Sequence, residues 1–232
     1  MDDSSIQRRL EDYIVKAKLA HGDRLPPEKQ LVAMLNVSRS ALREALRSLE
    51  ARGLLTAQRG SGRFLRAPDI SEPVVDGWRL LLRMRPAQLL ELLEIRHALE
   101  LRFLPRAVDG LEAPDVQALS DLVTRMEEKA RDDEVFGAED REFHELLFSR
   151  VHSELLEQLL RAFWDLMFRV EDSRLLRSDD LVTGARLHRQ LVEAVAARDV
   201  KRAEHYLDAQ FYDVQHRLEA YFGKGGGGAK EP

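Results

Sequence analysis

The sequence predicts a mainly α-helical chain in two parts: a small N-terminal head of helices closed by a two-stranded hairpin, then an all-α bundle of about seven helices. Three observations carry this expectation. Residues 24–66, RLPPEKQLVAMLNVSRSALREALRSLEARGLLTAQRGSGRFLR, place two short helices, a tight turn and a glycine-rich hairpin in that order. After residue 73 the apolar residues recur at helical spacing, with no strand signal. The charge also divides. Residues 1–70 hold 13 Lys and Arg against 9 Asp and Glu, a net of +4, while residues 71–232 hold 23 against 32, a net of −9.

The head reads element by element. From Ser5 to Leu19, Ile6, Leu10, Ile14 (or Tyr13) and Ala17 have helical spacing, and Gly22 ends that segment. Pro26 and Pro27 hold the chain extended, because proline disfavours helix in the residue before it. Glu28 opens a helix through Leu35, and Asn36 and Val37 form the turn. Ser38 N-caps the next helix, which runs to about Arg52, and Gly53 suits the left-handed position past its end. Leu54–Ala57 and Arg63–Leu65 read as short strands joined through Gly60, Ser61 and Gly62. Two helices, a turn and a hairpin wing make a winged helix-turn-helix over residues 1–67.

Residues 68–73, with two prolines and little periodicity, read as a linker. The helices expected beyond it cover 74–84, 87–108, 114–131, 135–151, 153–173, 181–198 and 200–222, a bundle over 74–222. The glycine-rich residues 223–232 read as a flexible tail.

At 232 residues, 44% hydrophobic and 33% charged, the chain has room for two modest packed domains. The absence of cysteine excludes disulfides, thiol catalysis and thiolate-ligated metal. No apolar run reaches the length of a membrane span, and the N-terminus lacks the apolar core of a signal peptide, so the expected location is the cytoplasm.

The helix after Ser38 carries the chemistry of the head. Ala41 (or Leu42), Ala45, Leu46 and Leu49 form its inward stripe, and Arg39, Arg43 and Arg47 recur every four residues on the opposite side. Between Asn36 and Arg66 there are seven arginines and only two acids, Glu44 and Glu50. Arginine donates bidentately to guanine O6 and N7, or clamps phosphates, so this stripe points to double-stranded DNA. An arginine stripe alone is usually a solvated helix face. The preceding helix, the turn and the wing favour DNA reading here.

In the bundle, Asp140 and His144 share one helix face at i, i+4. His188 aligns with Leu181, Leu191 and Val195, and Gln210 with Ala203, Leu207 and Val214. Polar groups turned into a core demand a partner, and a divalent metal would satisfy all of them. The alternative is a histidine hydrogen-bonded to a carboxylate. Arg96 sits on the stripe of Leu89, Leu92, Leu99 and Phe103. A charge there needs pairing, either with Glu100 one turn on or with a bound carboxylate.

The head motif, RLPPEKQLVAMLNVSRSALREALRSLEARGLL followed by RGSGRFL, resembles the N-terminal domain of GntR-type transcriptional regulators. The resemblance implies a phosphate contact at Lys29, base reading by Ser38, Arg39 and Arg43, and minor-groove contacts at Arg59, Gly60 and Ser61. Lys29 keeps the charge of the arginine common at that position but loses its fork geometry. LEIRHALE (93–100), EDREFH (139–144) and LHRQLVEA (187–194) resemble the FCD domain, the helical effector-binding domain of the FadR-like branch. In metal-binding FCD domains an Asp and three His hold zinc or a similar ion. Asp140, His144 and His188 match three positions, and the fourth falls on Gln210. Glutamine is a poor zinc ligand, although its carbonyl oxygen coordinates harder ions.

The expected function is therefore a homodimeric, effector-responsive regulator, a repressor by the family's usual logic. It would read a pseudo-palindromic operator and bind a small carboxylate in the bundle. Two rival readings are a metal-dependent hydrolytic enzyme built on the Asp/His cluster and a constitutive, non-specific DNA-binding protein.

Overall fold

The structure, a computed structural model, describes residues 3–169 and 180–225. The chain divides into two compact units, residues 1–69 and 70–232.

In the first unit, α1 (Asp3–Lys16) and α2 (Glu28–Leu35) pack on α3 (Arg39–Ala51). Leu10, Leu31, Leu42, Leu46 and Leu49 are almost wholly buried between them. Asn36 takes the left-handed conformation (φ 47°) that closes α2, and Gly53 (φ 71°) follows α3. The first helix ends sooner than Gly22, because Lys18 is already left-handed at φ 53° and the Leu19 N–H bonds back to the Ile14 carbonyl. The wing is β1 (Leu55–Gln58) paired antiparallel with β2 (Gly62–Leu65), Thr56 opposite Phe64. Its turn uses positive φ at Gly60 (80°) and Gly62 (105°), and a Cβ on Gly62 would meet the Arg24 guanidinium at 3.0 Å. Arg24 forms an isolated bridge to Phe64, and the Leu25 N–H donates to the Arg63 carbonyl at 2.8 Å, so the segment before α2 runs along the edge of the two-stranded wing.

The second unit holds seven α-helices among the described residues: α4 (Ser71–Met84), α5 (Gln88–Gly110), α6 (Ala113–Arg131), α7 (Gly137–Leu147), α8 (Glu154–Arg169), α9 (Leu181–Ala196) and α10 (Val200–Gly225). α10 packs on α9 and α5, α9 on α6, α6 on α7, and α4 on α8. One core runs through all of them, from Leu89 on α5 to Leu218 on α10.

Three boundaries of the second unit differ from the sequence expectation by three residues or more. α4 begins at Ser71, inside the stretch read as a linker, with Ser71 buried and the Ile70 N–H held by Gln158 Oε1. Pro73 falls in the first turn of α4, where no intrahelical partner awaits its missing N–H, so it does not stop the helix. The segment 135–151 is two pieces rather than one. α7 stops at Leu147, a 3-10 turn covers Ser149–Val151, and left-handed His152 (φ 53°) closes it. Phe148 and Val151 are both buried, which carried the apolar period across the break. α10 continues three residues into the segment expected as a tail, since glycine weakens a helix without blocking its hydrogen bonds. The remainder of that tail, and residues 170–173 of the expected fifth bundle helix, lie outside the described residues.

Candidate DNA interface and metal centre

The reading helix is built from its cap outward. Ser38 is extended (φ −72°, ψ 154°), and its Oγ accepts the Ala41 N–H at 3.2 Å, satisfying one of the free donors at the start of α3. Burial of Leu42, Ala45, Leu46 and Leu49 fixes the rotation of α3 and leaves Arg39, Arg43 and Arg47 exposed. Lys29, Arg59, Gly60 and Ser61 are exposed as well.

One feature of this surface was not read from the sequence. Glu28, in the first turn of α2, bridges two arginines. Its Oε2 accepts from Arg43 Nε at 3.0 Å and its Oε1 from Arg63 Nη1 at 2.9 Å. Arg63 Nε in turn donates to Glu50 Oε1 at 2.5 Å. The hydrogen bond from Arg43 is the leading influence holding the Glu28 carboxyl below its ordinary range; partial burial opposes it, and Arg63 adds to it. Arg47 makes only a loose 3.7 Å contact with Glu44.

In the bundle, α7 presents Asp140 and His144 one turn apart, and α9 brings His188 to them. The donor atoms of the three lie within 4.8 Å of one another, with both histidines buried. His188 Nε2 stands 2.9 Å from Asp140 Oδ1, while its Nδ1 faces the Gly184 carbonyl at 2.8 Å. His144 Nε2 is 3.4 Å from the same Asp140 oxygen. Its Nδ1 meets Glu100 Oε2 at 2.7 Å, without the alignment of a hydrogen bond. Every ring nitrogen of both histidines therefore faces an acceptor.

A neutral imidazole has one N–H and one lone pair. With the His188 N–H given to Gly184, its lone pair points at a carboxylate oxygen. Only a proton or a cation between them makes that arrangement favourable. Two imidazole nitrogens and a carboxylate oxygen converging on one point are the donor set of a divalent metal, and the second-position contact to a backbone carbonyl is what orients such a ligand. The residues present fit a metal.

The rings and carboxylates of this cluster also shift one another's protonation. Burial raises the Asp140 carboxyl, but hydrogen bonds from His144 and His188 and their charge bring it well below the usual range. For His144, burial disfavours the charged ring, and Glu100 and Asp140 more than offset that, raising its pKa.

Arg96 and Glu100, both on α5, complete the polar interior. Glu100 is fully buried, and its Oε1 accepts from Arg96 Nε at 2.6 Å. Arg96 is thus paired with Glu100, one of the two partners weighed from the sequence. The Arg96 guanidinium also lies 4.0 Å over the Trp164 ring and 5.1 Å from that of Phe211. Trp164 is tilted against His144, with ring centres 5.6 Å apart. Among the buried side-chain atoms without a hydrogen-bond partner are Trp164 Nε1 and both amide atoms of Gln210. Trp164 and Glu100 were missed as part of this cluster. Nothing local in the sequence says that α5, α7 and α8 meet there. His205 and His216 are exposed, so neither takes the place of Gln210.

A winged helix-turn-helix followed by a helical bundle with charged groups sealed in its interior is the architecture of a DNA-binding regulator with a sensory domain. Residues 3–65 match the family described as bacterial regulatory proteins, gntR family, and residues 91–211 match the FCD domain. The chain belongs to this family: it is a GntR-family transcriptional regulator with an FCD effector-binding domain. It is 28% identical to the transcriptional regulator LutR of Bacillus subtilis, over 90% of this chain and 97% of that protein. It is 24% identical to the transcriptional repressor NanR of an Enterobacter strain, over 95% and 86%. Among solved structures, the GntR protein of Streptococcus agalactiae shares the fold at TM-score 0.68 and 23% identity, covering 93% of this chain and 99% of that one. These relatives are regulators rather than enzymes, which removes the hydrolase reading. No helix among the described residues is long and apolar enough to cross a membrane.

Proposed function

We propose that this chain is a cytoplasmic, homodimeric repressor whose hold on a pseudo-palindromic operator is modulated by a small organic acid bound in the bundle on a divalent ion. The observation that carries the reading is the convergence of Asp140, His144 and His188, with acceptors facing both nitrogens of each ring. Asp140, His144 and His188 hold the ion, and the buried Gln210 amide supplies the fourth contact through its oxygen or through a bridging water. A bound divalent cation supplies a positive anchor for an oxyanion. Arg96, stacked on Trp164, supplies a second positive group for a carboxylate.

In the head, Arg39, Arg43 and Ser38 read base edges, Arg47 and Lys29 contact phosphate, and Arg59, Gly60 and Ser61 border the minor groove. The exposed arginine stripe and the net charge of +4 over residues 1–70 support this. Repression is supported by NanR, a relative named as a repressor.

Elemental analysis of the purified protein tests the bundle reading. We expect about one divalent ion per chain, lost in His144→Ala, together with thermal stabilisation by a carboxylate that chelation removes. Unchanged metal content in His144→Ala would sink the assignment. Stabilisation by a carboxylate with no metal present would transfer the effector site to Arg96 and direct hydrogen bonding.

A further inference from the structure

We propose that Glu28 is a specificity-determining positioning residue, one that holds Arg43 by its Nε so that the two Nη groups are presented together to a base. The proposal rests on the reading of Arg43 as a base contact. A guanidinium offers two edges to a guanine: the end bearing both Nη groups, or the side formed by Nε and one Nη. Glu28 Oε2 occupies the Nε at 3.0 Å, which closes the side edge and leaves the end. Arg43 is otherwise a long exposed chain, 60% accessible, with much rotamer freedom to lose on binding. An arginine already fixed loses less.

Glu28 is itself held. Its other oxygen accepts from Arg63 Nη1 on β2, and Arg63 Nε reaches Glu50 near the end of α3. The chain Arg43, Glu28, Arg63, Glu50 thus links α2, the reading helix and the wing. Glu28, Arg63 and Glu50 are each only 25–30% exposed, so the group is half-shielded from solvent. The backbone bond from Leu25 N–H to the Arg63 carbonyl brings the start of α2 beside β2.

Charge gives the argument its sign. A carboxylate on a surface that approaches phosphate repels every DNA sequence equally. Such a group lowers affinity for DNA at large and is compensated only where it sharpens the choice among sequences. Removing it therefore acts in opposite directions on the two quantities, which a purely structural role does not do.

The test uses the full chain, a duplex selected by it from a random-sequence library, and an unselected duplex of equal length at the same salt. In Arg43→Ala the ratio of selected to unselected affinity should fall, which checks the base contact on its own. In Glu28→Gln, affinity for unselected duplex should rise while the ratio falls about five- to tenfold, part of the range expected for a bidentate base contact. In the double variant Glu28→Gln, Arg43→Ala the ratio should fall no further than in Arg43→Ala alone. Glu28→Asp keeps the charge but shortens the reach. It should lower the ratio without raising affinity for unselected duplex, and it decides the matter if Glu28→Gln fails to fold by circular dichroism. A lowered ratio in Arg43→Ala with an unchanged ratio in both Glu28 variants overturns the positioning role alone. Equal losses on both duplexes in Arg43→Ala overturn the base contact and the proposal with it.

Discussion

Glu100 shows most directly how single residues shape the interior of the bundle. It has no exposed surface, yet it carries a carboxylate whose oxygens meet Arg96 at 2.6 Å and His144 at 2.7 Å. Burial alone would push its pKa up; the charges of Arg96 and His144 outweigh that and hold it below its ordinary value. Breaking a buried pair by removing one partner costs on the order of 3–5 kcal/mol, because the other charge stays buried. Arg96→Ala should therefore destabilise the bundle by about that amount in chemical denaturation, and the double variant Arg96→Ala, Glu100→Ala should recover a large part of the loss. A lowered folded pKa means that this stabilisation is present above the ordinary glutamate value and lost as pH falls through the lowered one. The acid side of the stability curve should accordingly be flatter in the double variant than in the natural chain. The sequence made Arg96 legible as a charge on an apolar stripe, and Glu100 as its neighbour one turn on. It did not disclose that the far oxygen of Glu100 meets a histidine from α7, because that contact depends on how three helices pack.

At the scale of elements, boundaries were legible wherever a residue acts through its own backbone. Glu28 through Leu35 is bounded as expected, since Pro27 before it and left-handed Asn36 after it are local signals. They were not legible where burial decides, as at Phe148, or where a breaker falls in a tolerant first turn, as at Pro73. Pro105 lies inside α5 without interrupting it, and Arg198 donates to the Val108 and Leu111 carbonyls at the end of that helix. Ser38 combines two roles that an element-level experiment separates. As the N-cap of α3 its Oγ satisfies the Ala41 N–H, and its loss in Ser38→Ala should cost about 1 kcal/mol. Ser38→Asp retains a capping oxygen and adds negative charge at the positive end of the helix, so stability should hold or rise. Under the proposed reading that charge also lies in the interface with a polyanion, so DNA affinity should fall in Ser38→Asp even though the head is as stable as before. Denaturation followed by circular dichroism, set beside duplex titrations, reads both. Equal DNA affinity in Ser38→Asp and the natural chain would remove Ser38 from the interface.

For the whole molecule the question is how an acidic, ligand-binding unit governs a basic, DNA-reading one. The division of charge, +4 over residues 1–70 and −9 over 71–232, confines attraction for phosphate to the head. Under the proposed reading the bundle acts on operator affinity through coupling. Coupling between two binding sites is a free energy, and it is reciprocal: whatever factor the effector imposes on operator affinity, the operator imposes on effector affinity. It also requires that the effector discriminate between two arrangements of the molecule, since a ligand that binds both equally shifts neither. Two measurements on the metal-loaded chain check this. One titrates the selected duplex with and without a saturating carboxylate effector, and the other titrates that effector with and without saturating duplex. The two ratios should agree, with a value of about 5 to 150 for a typical coupling of 1–3 kcal/mol. In His144→Ala the first ratio should collapse toward one while duplex affinity without effector stays near that of the natural chain, because the altered residue lies outside the DNA-reading head. A dimer reading a two-fold site adds a stoichiometric check, two chains per duplex, with a half-site duplex bound far more weakly. Undiminished coupling after removal of the metal would separate the ion from the signal and leave it a structural role in the bundle.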